Sequence, residues 1–119
     1  PRSTLFPYTT LFRSERYNAG CARFVLGDPT PMPTVDLCAE ELTVSSGGSP
    51  VAVGYGRAIL GDPIRSVAWV ARRLTTVGAG LAAGDIVLAG AVHASVALRP
   101  GDTVSVSSPH LPAVRVTAV

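Results

Sequence analysis

The stretch Gly61-Asp-Pro-Ile-Arg-Ser-Val-Ala-Trp-Val-Ala71, running on to Leu74 and Gly78, decides the fold class. Asp62 is the residue type that caps a helix N-terminus, because its carboxylate accepts from the free amides of the first turn. Pro63 suits the first helical position, where a missing N–H loses no bond. Ile64, Val67, Ala68, Ala71 and Leu74 recur at helical spacing, while Arg65, Arg72 and Arg73 fall off that stripe. Gly78 is a stop signal. The spacing predicts one amphipathic helix over 63–77, with its stripe buried against a sheet.

Outward from this helix the chain reads as strands and turns. Cys21-Ala-Arg-Phe-Val-Leu-Gly27 alternates and closes on Gly, which suits a short strand. Asp28-Pro-Thr-Pro-Met-Pro-Thr34 carries three prolines and is an irregular connector. Val35 to Ser45 reads as a strand that ends at the hairpin-type turn Ser46-Gly-Gly-Ser-Pro50, with Val51 to Gly56 as its partner. Downstream, Leu81 to Asp85 is a turn and Ile86-Val-Leu88 a short buried strand. Ser95 to Leu98, Thr103 to Ser107 and Val114 to Val119 are further strands, the first two separated by the tight turn Arg99-Pro-Gly-Asp102. There is no internal repeat. The class is α+β, mostly β with one main helix.

Eleven consecutive residues, Thr4 to Ser14, match codon for codon the in-frame translation of a common short-read sequencing adapter. Residues 1–14 are therefore expected to be non-native, and the natural sequence to begin near Glu15 in mid-gene. All ten basic residues are Arg, and two of them, Arg2 and Arg13, lie in that segment. The remainder carries eight basic and eight acidic residues, so the formal net charge of +2 is no argument for nucleic acid or an anionic membrane. No run approaches the ~20 apolar residues that span a bilayer. Cys21 and Cys38 have neither C-x-x-C spacing nor a nearby His pair, so small buried thiols on strands are expected rather than a zinc site.

Generic site signatures fail. Gly54-Tyr-Gly56 is followed by Ile59 where a dinucleotide fingerprint needs Gly, and Gly47-Gly48 has no Lys behind it. No Ser sits in G-x-S-x-G. His93 and His110 stand on or beside loops, where a lone His is solvated or structural more often than catalytic. Glu40 and Glu41 would point to opposite faces of a strand, so they cannot share a site, and one of them is expected to be exposed.

What rises above background is an ordered set of small motifs. After Gly61–Ala71 come Leu81-Ala-Ala-Gly-Asp-Ile-Val-Leu88, Ala89-Gly90-Ala91 and Val96-Ala-Leu-Arg-Pro-Gly-Asp102. Upstream, Tyr17-Asn-Ala-Gly-Cys21 precedes a strand closing on Val25-Leu-Gly27. The set resembles the C-terminal part of the 2-oxopent-4-enoate hydratase / 2-oxo-3-hexenedioate decarboxylase family, within the fumarylacetoacetate hydrolase superfamily, over residues 17–119.

The resemblance implies a rolled, mixed β-sheet with flanking helices, and assigns 15–119 to the C-terminal part of the catalytic domain. It implies a cytoplasmic enzyme of aromatic catabolism, a homo-oligomer when full length, that acts on a small 2-oxo acid and contacts neither nucleic acid nor membrane. In such enzymes Mg2+ or Mn2+, chelated by the substrate, acts as a Lewis acid that stabilises an enolate. The family's Glu-x-Glu ligands, a further acidic ligand and a proton-transferring lysine all lie upstream of the part present. This chain has no E-x-E and no Lys, so no catalytic residue, no metal ligand and no tight metal binding are expected in it.

The resemblance places Asn18 and the turn at Gly90 and Ala91 on the substrate side of the family site, with His93, three residues past Gly90, as a substituted polar contact at the same mouth. The family's Ser/Thr-Gly turn reads Ala89-Gly90 here, so its hydroxyl is absent while the Gly90 and Ala91 amides remain. Tyr17 and Gly20 replace the aspartate and serine around the family's asparagine. The leading expectation is the hydratase of 2-hydroxypenta-2,4-dienoate. Alternatives are the sister decarboxylase, an acylpyruvate hydrolase and a non-catalytic β assembly domain. Trp69 is expected to pack under the sheet or at a subunit contact. Deleting residues 1–14 should leave thermal stability unchanged within about 0.5 kcal/mol; a loss of several kcal/mol would contradict their reading as non-native.

Overall fold

The computed structural model describes residues 23–31 and 35–119. Residues 1–14, Asn18 and Cys21 lie outside that range, as do the expectations attached to them. Four strands form one antiparallel sheet in the order β2-β1-β3-β4: β1 (Glu41–Ser46), β2 (Ser49–Tyr55), β3 (Thr103–Ser107) and β4 (Val114–Thr117). A 3-10 turn (Gly56–Ala58) and the helix α1 (Pro63–Thr75) follow β2. The expected mixture of parallel and antiparallel pairs is absent among the described strands.

β1 is central because it pairs on both sides, with Val44 opposite Ala52 of β2 and opposite Val106 of β3. Strand alternation puts Leu42, Val44, Val104, Val106, Val114 and Val116 on one face, and Thr43, Ser45, Ser105, Arg115 and Thr117 on the other. Val44, 2% exposed, is the one buried hydrophobic residue among those described. The β1–β2 hairpin turns on Gly47 and Gly48, both at positive φ, as a two-residue hairpin turn requires. Pro50, with no N–H to donate, is tolerated because β2 is an edge strand with a register shift between Val44 and Ser45.

α1 forms as its end signals dictate. Asp62 Oδ1 accepts from Ile64 N at 2.8 Å, and Pro63 opens the first turn. The helix stops at Thr75, two residues short of the expected end, where the Thr75 and Thr76 hydroxyls donate to the Arg72 and Arg73 carbonyls at 2.6 and 2.7 Å. Such back-bonding competes with the helical ladder in its last turn. The apolar stripe is less buried than its spacing implies. Ile64 is 45% exposed, Val67, Ala68, Ala71 and Leu74 are half-buried, and Ser66 is the buried position. The reason is that α1 packs chiefly against the 3-10 turn rather than across the strands. Trp69 is likewise 44% exposed and does not pack under the sheet.

Four other expected strands are corrected. The described part of 21–27, residues 23–27, is irregular, and β1 starts only at Glu41. Asp36 Oδ1 accepts from Cys38 N at 3.0 Å and Ala39 N at 3.3 Å, which folds 36–39 into a turn instead of a strand. Cys38 is therefore a half-buried thiol in a turn; burial, then Asp62 and Asp36, push its pKa up. Ile86–Leu88 and Ser95–Leu98 are not strands either, and Ile86 and Leu88 are about half exposed. The turn Arg99–Asp102 forms as read, with Asp102 N donating to Arg99 O at 2.9 Å and Gly101 at φ 90°.

Two glycines set how closely segments approach. A Cβ at Gly56 would lie 1.7 Å from the Leu37 carbonyl oxygen, and one at Gly54 would lie 2.2 Å from that of Val92. Gly56→Ala is therefore expected to cost more than about 3 kcal/mol, whereas Gly80→Ala, with open space around it, should stay within about 0.5 kcal/mol. Asp62→Ala should cost about 1 kcal/mol. Urea denaturation of the three variants checks all these values; a neutral Gly56→Ala would contradict the packing described.

Candidate functional site

Three of the four sequence-selected positions share one segment. After α1 the chain runs without regular structure to β3, and Val92 brings its carbonyl against the backbone of Gly54 in β2. This contact places Gly90, Ala91 and His93 beside the sheet edge. Gly90 holds φ 128°, which L side chains rarely adopt, and a Cβ there would face Ile59. Gly90 and Ala91 are exposed and His93 is half-buried. His93 Nδ1 lies 2.6 Å from the Ala94 carbonyl oxygen. A carbonyl only accepts, so Nδ1 carries a proton in this contact. Asn18 lies outside the described residues.

A second constellation was not selected by the sequence reading. Glu40, 4% exposed, accepts from the Ser108 hydroxyl and from His110 N at 2.9 Å through Oε1, and meets His110 Nδ1 at 2.8 Å through Oε2. The Ser108 hydrogen bond lowers the Glu40 pKa most; burial opposes it and the His110 contacts add to it. His110 keeps most of its ring in water, with 68% side-chain exposure against 3% for Glu40. The cluster fastens the start of β1 to the loop between β3 and β4. That loop walls an apolar cavity of about 300 Å³ lined by Leu37, Leu42, Val106, Leu111 and Val114, with Ser108 at its polar side. Nothing local in the sequence announces partners 68 and 70 residues away.

Glu41 is also engaged: Tyr55 OH donates to its Oε2 at 2.7 Å, which raises the tyrosine pKa, and Arg57 stacks 4.2 Å over the Tyr55 ring. Neither glutamate is thus exposed, contrary to the sequence expectation, because Glu40 precedes the strand and its backbone turns it inward.

Four other carboxylates are bound up in turns. Asp36 and Asp62 cap as described, Asp85 accepts from Ala82 N at 2.8 Å, and Asp102 from Arg99 N at 2.8 Å. Among the described residues no group of three or more His, Cys, Asp or Glu side chains could hold a metal ion, and no helix is long and apolar enough to cross a membrane.

The folded-state pKa of Glu40 lies below its unfolded value of about 4.3. Its stabilisation is therefore complete above that value and is lost as pH falls through the folded pKa. Thermal melts between about pH 7 and pH 2.5 should show this loss, and Glu40→Gln should start lower at pH 7 and lack the Glu40 part of the acid step. An unchanged acid profile in Glu40→Gln would contradict the assignment.

Residues 21–119 match the family described as fumarylacetoacetate (FAA) hydrolase, C-terminal. The 2-keto-4-pentenoate hydratase of Burkholderia vietnamiensis is 39% identical over 101 residues, which are 84% of this chain and 38% of that protein. A 4-oxalocrotonate decarboxylase of a Pseudomonas species is 41% identical over 73% of this chain and 34% of its own length. Among solved structures, 4-oxalocrotonate decarboxylase from Pseudomonas putida G7, complexed with calcium and acetate or with magnesium and adipate, superposes with a TM-score of 0.68 at 33% identity. That match covers 71% of this chain and about a third of the decarboxylase. The chain thus spans about a third of the length of the relatives it matches. With a family match over residues 21–119 and this superposition, the chain belongs to the fumarylacetoacetate hydrolase family.

Proposed function

We propose that this chain is the C-terminal part of a metal-dependent hydro-lyase that adds water to 2-hydroxypenta-2,4-dienoate, giving 4-hydroxy-2-oxopentanoate. The observation that carries this reading is the family match over 21–119, together with relatives named 2-keto-4-pentenoate hydratase at 39–41% identity. On this reading residues 1–14 are foreign to the enzyme. The whole enzyme is a cytoplasmic homo-oligomer of aromatic catabolism.

The described residues do not fit the divalent ion that such an enzyme uses, since no three of their His, Cys, Asp or Glu side chains are grouped to hold one. The ion, magnesium or manganese, belongs on this reading to the part of the enzyme upstream. This chain would supply a wall of the substrate pocket. The exposed Gly90 and Ala91 backbone, with no side chain larger than a methyl, suits close approach of a carboxylate to main-chain N–H groups. His93, three residues from Gly90, offers Nε2 to a substrate hydroxyl, and Asn18 is assigned to the same pocket. A second reading, 2-oxo-3-hexenedioate decarboxylase, is supported by the structural likeness to a solved 4-oxalocrotonate decarboxylase.

The test is a chimera of the Burkholderia vietnamiensis hydratase in which residues 21–119 replace the matching C-terminal third. Divalent-metal-dependent hydration of 2-hydroxypenta-2,4-dienoate is expected from the chimera and not from the 119-residue chain. Release of CO2 from 2-oxo-3-hexenedioate instead would favour the second reading; a folded chimera inert on both substrates would sink both. In an active chimera His93→Ala should raise KM about three- to tenfold, as for one lost hydrogen bond, with a smaller change in kcat.

A further inference from the structure

The apolar cavity beside the sheet has walls anchored at three places. A Cβ at Gly27 would lie 3.1 Å from Val114 Cγ2 and 3.5 Å from the Pro112 carbonyl oxygen, so Gly27 is seated on the β3–β4 loop and the start of β4. The Leu37 carbonyl is held against Gly56, where a Cβ would come within 1.7 Å of its oxygen. Ser108 is tied to the buried Glu40. Between these anchors lie about 300 Å³ lined chiefly by Leu37, Leu42, Val106, Leu111 and Val114, a volume at the low end for small-molecule sites. Gly90, Ala91 and His93 do not line it, so it is separate from the pocket wall proposed above.

Its polar lining fixes what such a space accepts. Asp28, Thr30 and Ser108 bring the polar side chains, and none of the described lining residues is basic. A serine hydroxyl has one proton and two lone pairs. The Ser108 proton goes to Glu40 Oε1, so its oxygen has only lone pairs left to offer. An anion entering the cavity would meet the Asp28 carboxylate, with Glu40 bonded to Ser108 close by and no counter-charge, so a carboxylate is a poor occupant. Asp28 is exposed, so a cation paired with it keeps to solvent. The geometry points to a ligand site for a small neutral molecule with an apolar body and one hydroxyl, an alcohol or phenol whose O–H donates to Ser108 Oγ. The aliphatic walls take its hydrocarbon, and the Glu40 hydrogen bond holds Ser108 in the accepting orientation.

The experiment is an NMR titration of the whole 119-residue chain with p-cresol and with anisole. These are isomers of nearly equal size, of which only p-cresol donates a hydrogen bond; benzoate serves as the anion. Amide shifts of Val106, Ser108 and Leu111 report binding. Saturable p-cresol binding is expected with a Kd of about 1 mM or tighter, within reach of so small a ligand. It should be roughly three- to tenfold tighter than anisole, the weight of one hydrogen bond, and benzoate should not saturate. Ser108→Ala should bring the two isomers within about twofold of each other, whereas Ser108→Thr should keep the preference. Val106→Phe, which fills the cavity and leaves the Glu40 cluster in place, should abolish binding of both. Equal binding of the isomers, saturation by neither, undiminished binding in Val106→Phe, or benzoate binding as tight as that of p-cresol would overturn the inference. The folded chimera should show the same preference; loss of p-cresol binding there would also overturn it, since the cavity would then be the seat of another part of the fold. No turnover is read, so the outcome is independent of the proposed function.

Discussion

A carboxylate 3% exposed on its side chain is tolerable only with its oxygens occupied, and the arrangement of this chain follows from how Glu40 meets that demand. Three donors from Ser108 and His110 converge on it. To bring them there, the strand pair β1–β3 must be in register and the β3–β4 loop must fold back over Leu37 and Leu42. The same loop walls the open apolar cavity beside the sheet. Val44, at the centre of β1, is then the one buried apolar side chain among the described residues. Hydrophobic burial among the described residues is thin, so this polar fastening and the β1 ladders carry much of the long-range order.

The features legible in the sequence are those whose causes are local. Asp62 and Pro63 state a helix start within three residues, Gly47-Gly48 states a hairpin, and Arg99-Pro-Gly-Asp102 states a turn; all three form. β3 and β4 were legible because Val104 and Val106, then Val114 and Val116, alternate and find each other across one tight register. Strands that failed did so for different reasons. Val35–Ala39 lost to the Asp36 side chain, which offers nearby amides a closer partner than any strand. Ile86–Leu88 and Ser95–Leu98 have a strand's composition, but a strand is a property of a pair, and no described residue supplies the other half.

The candidate site was legible in the same uneven way. Gly90 was chosen by motif order, and its φ of 128° gives that choice a physical reason. The exposed helix stripe shows the opposite error: amphipathic spacing says which side seeks cover, not what covers it. Glu40 was misread because its fate depends on residues about 70 positions away, beyond any periodicity. Its neighbour Glu41 was drawn in by Tyr55, which pairing across β1 and β2 places directly opposite.

On the function proposed above, the chain is a supporting part that would supply a pocket wall at Gly90–His93, while Glu40, Glu41 and the turn aspartates serve architecture. Isothermal titration of Mg2+ into the 119-residue chain at neutral pH tests that division of labour most directly. No saturable binding is expected up to roughly millimolar concentration, the weak end of oxygen-ligand sites. A stoichiometric site tighter than that would contradict it, since it would place the metal's ligands in the part of the enzyme described here.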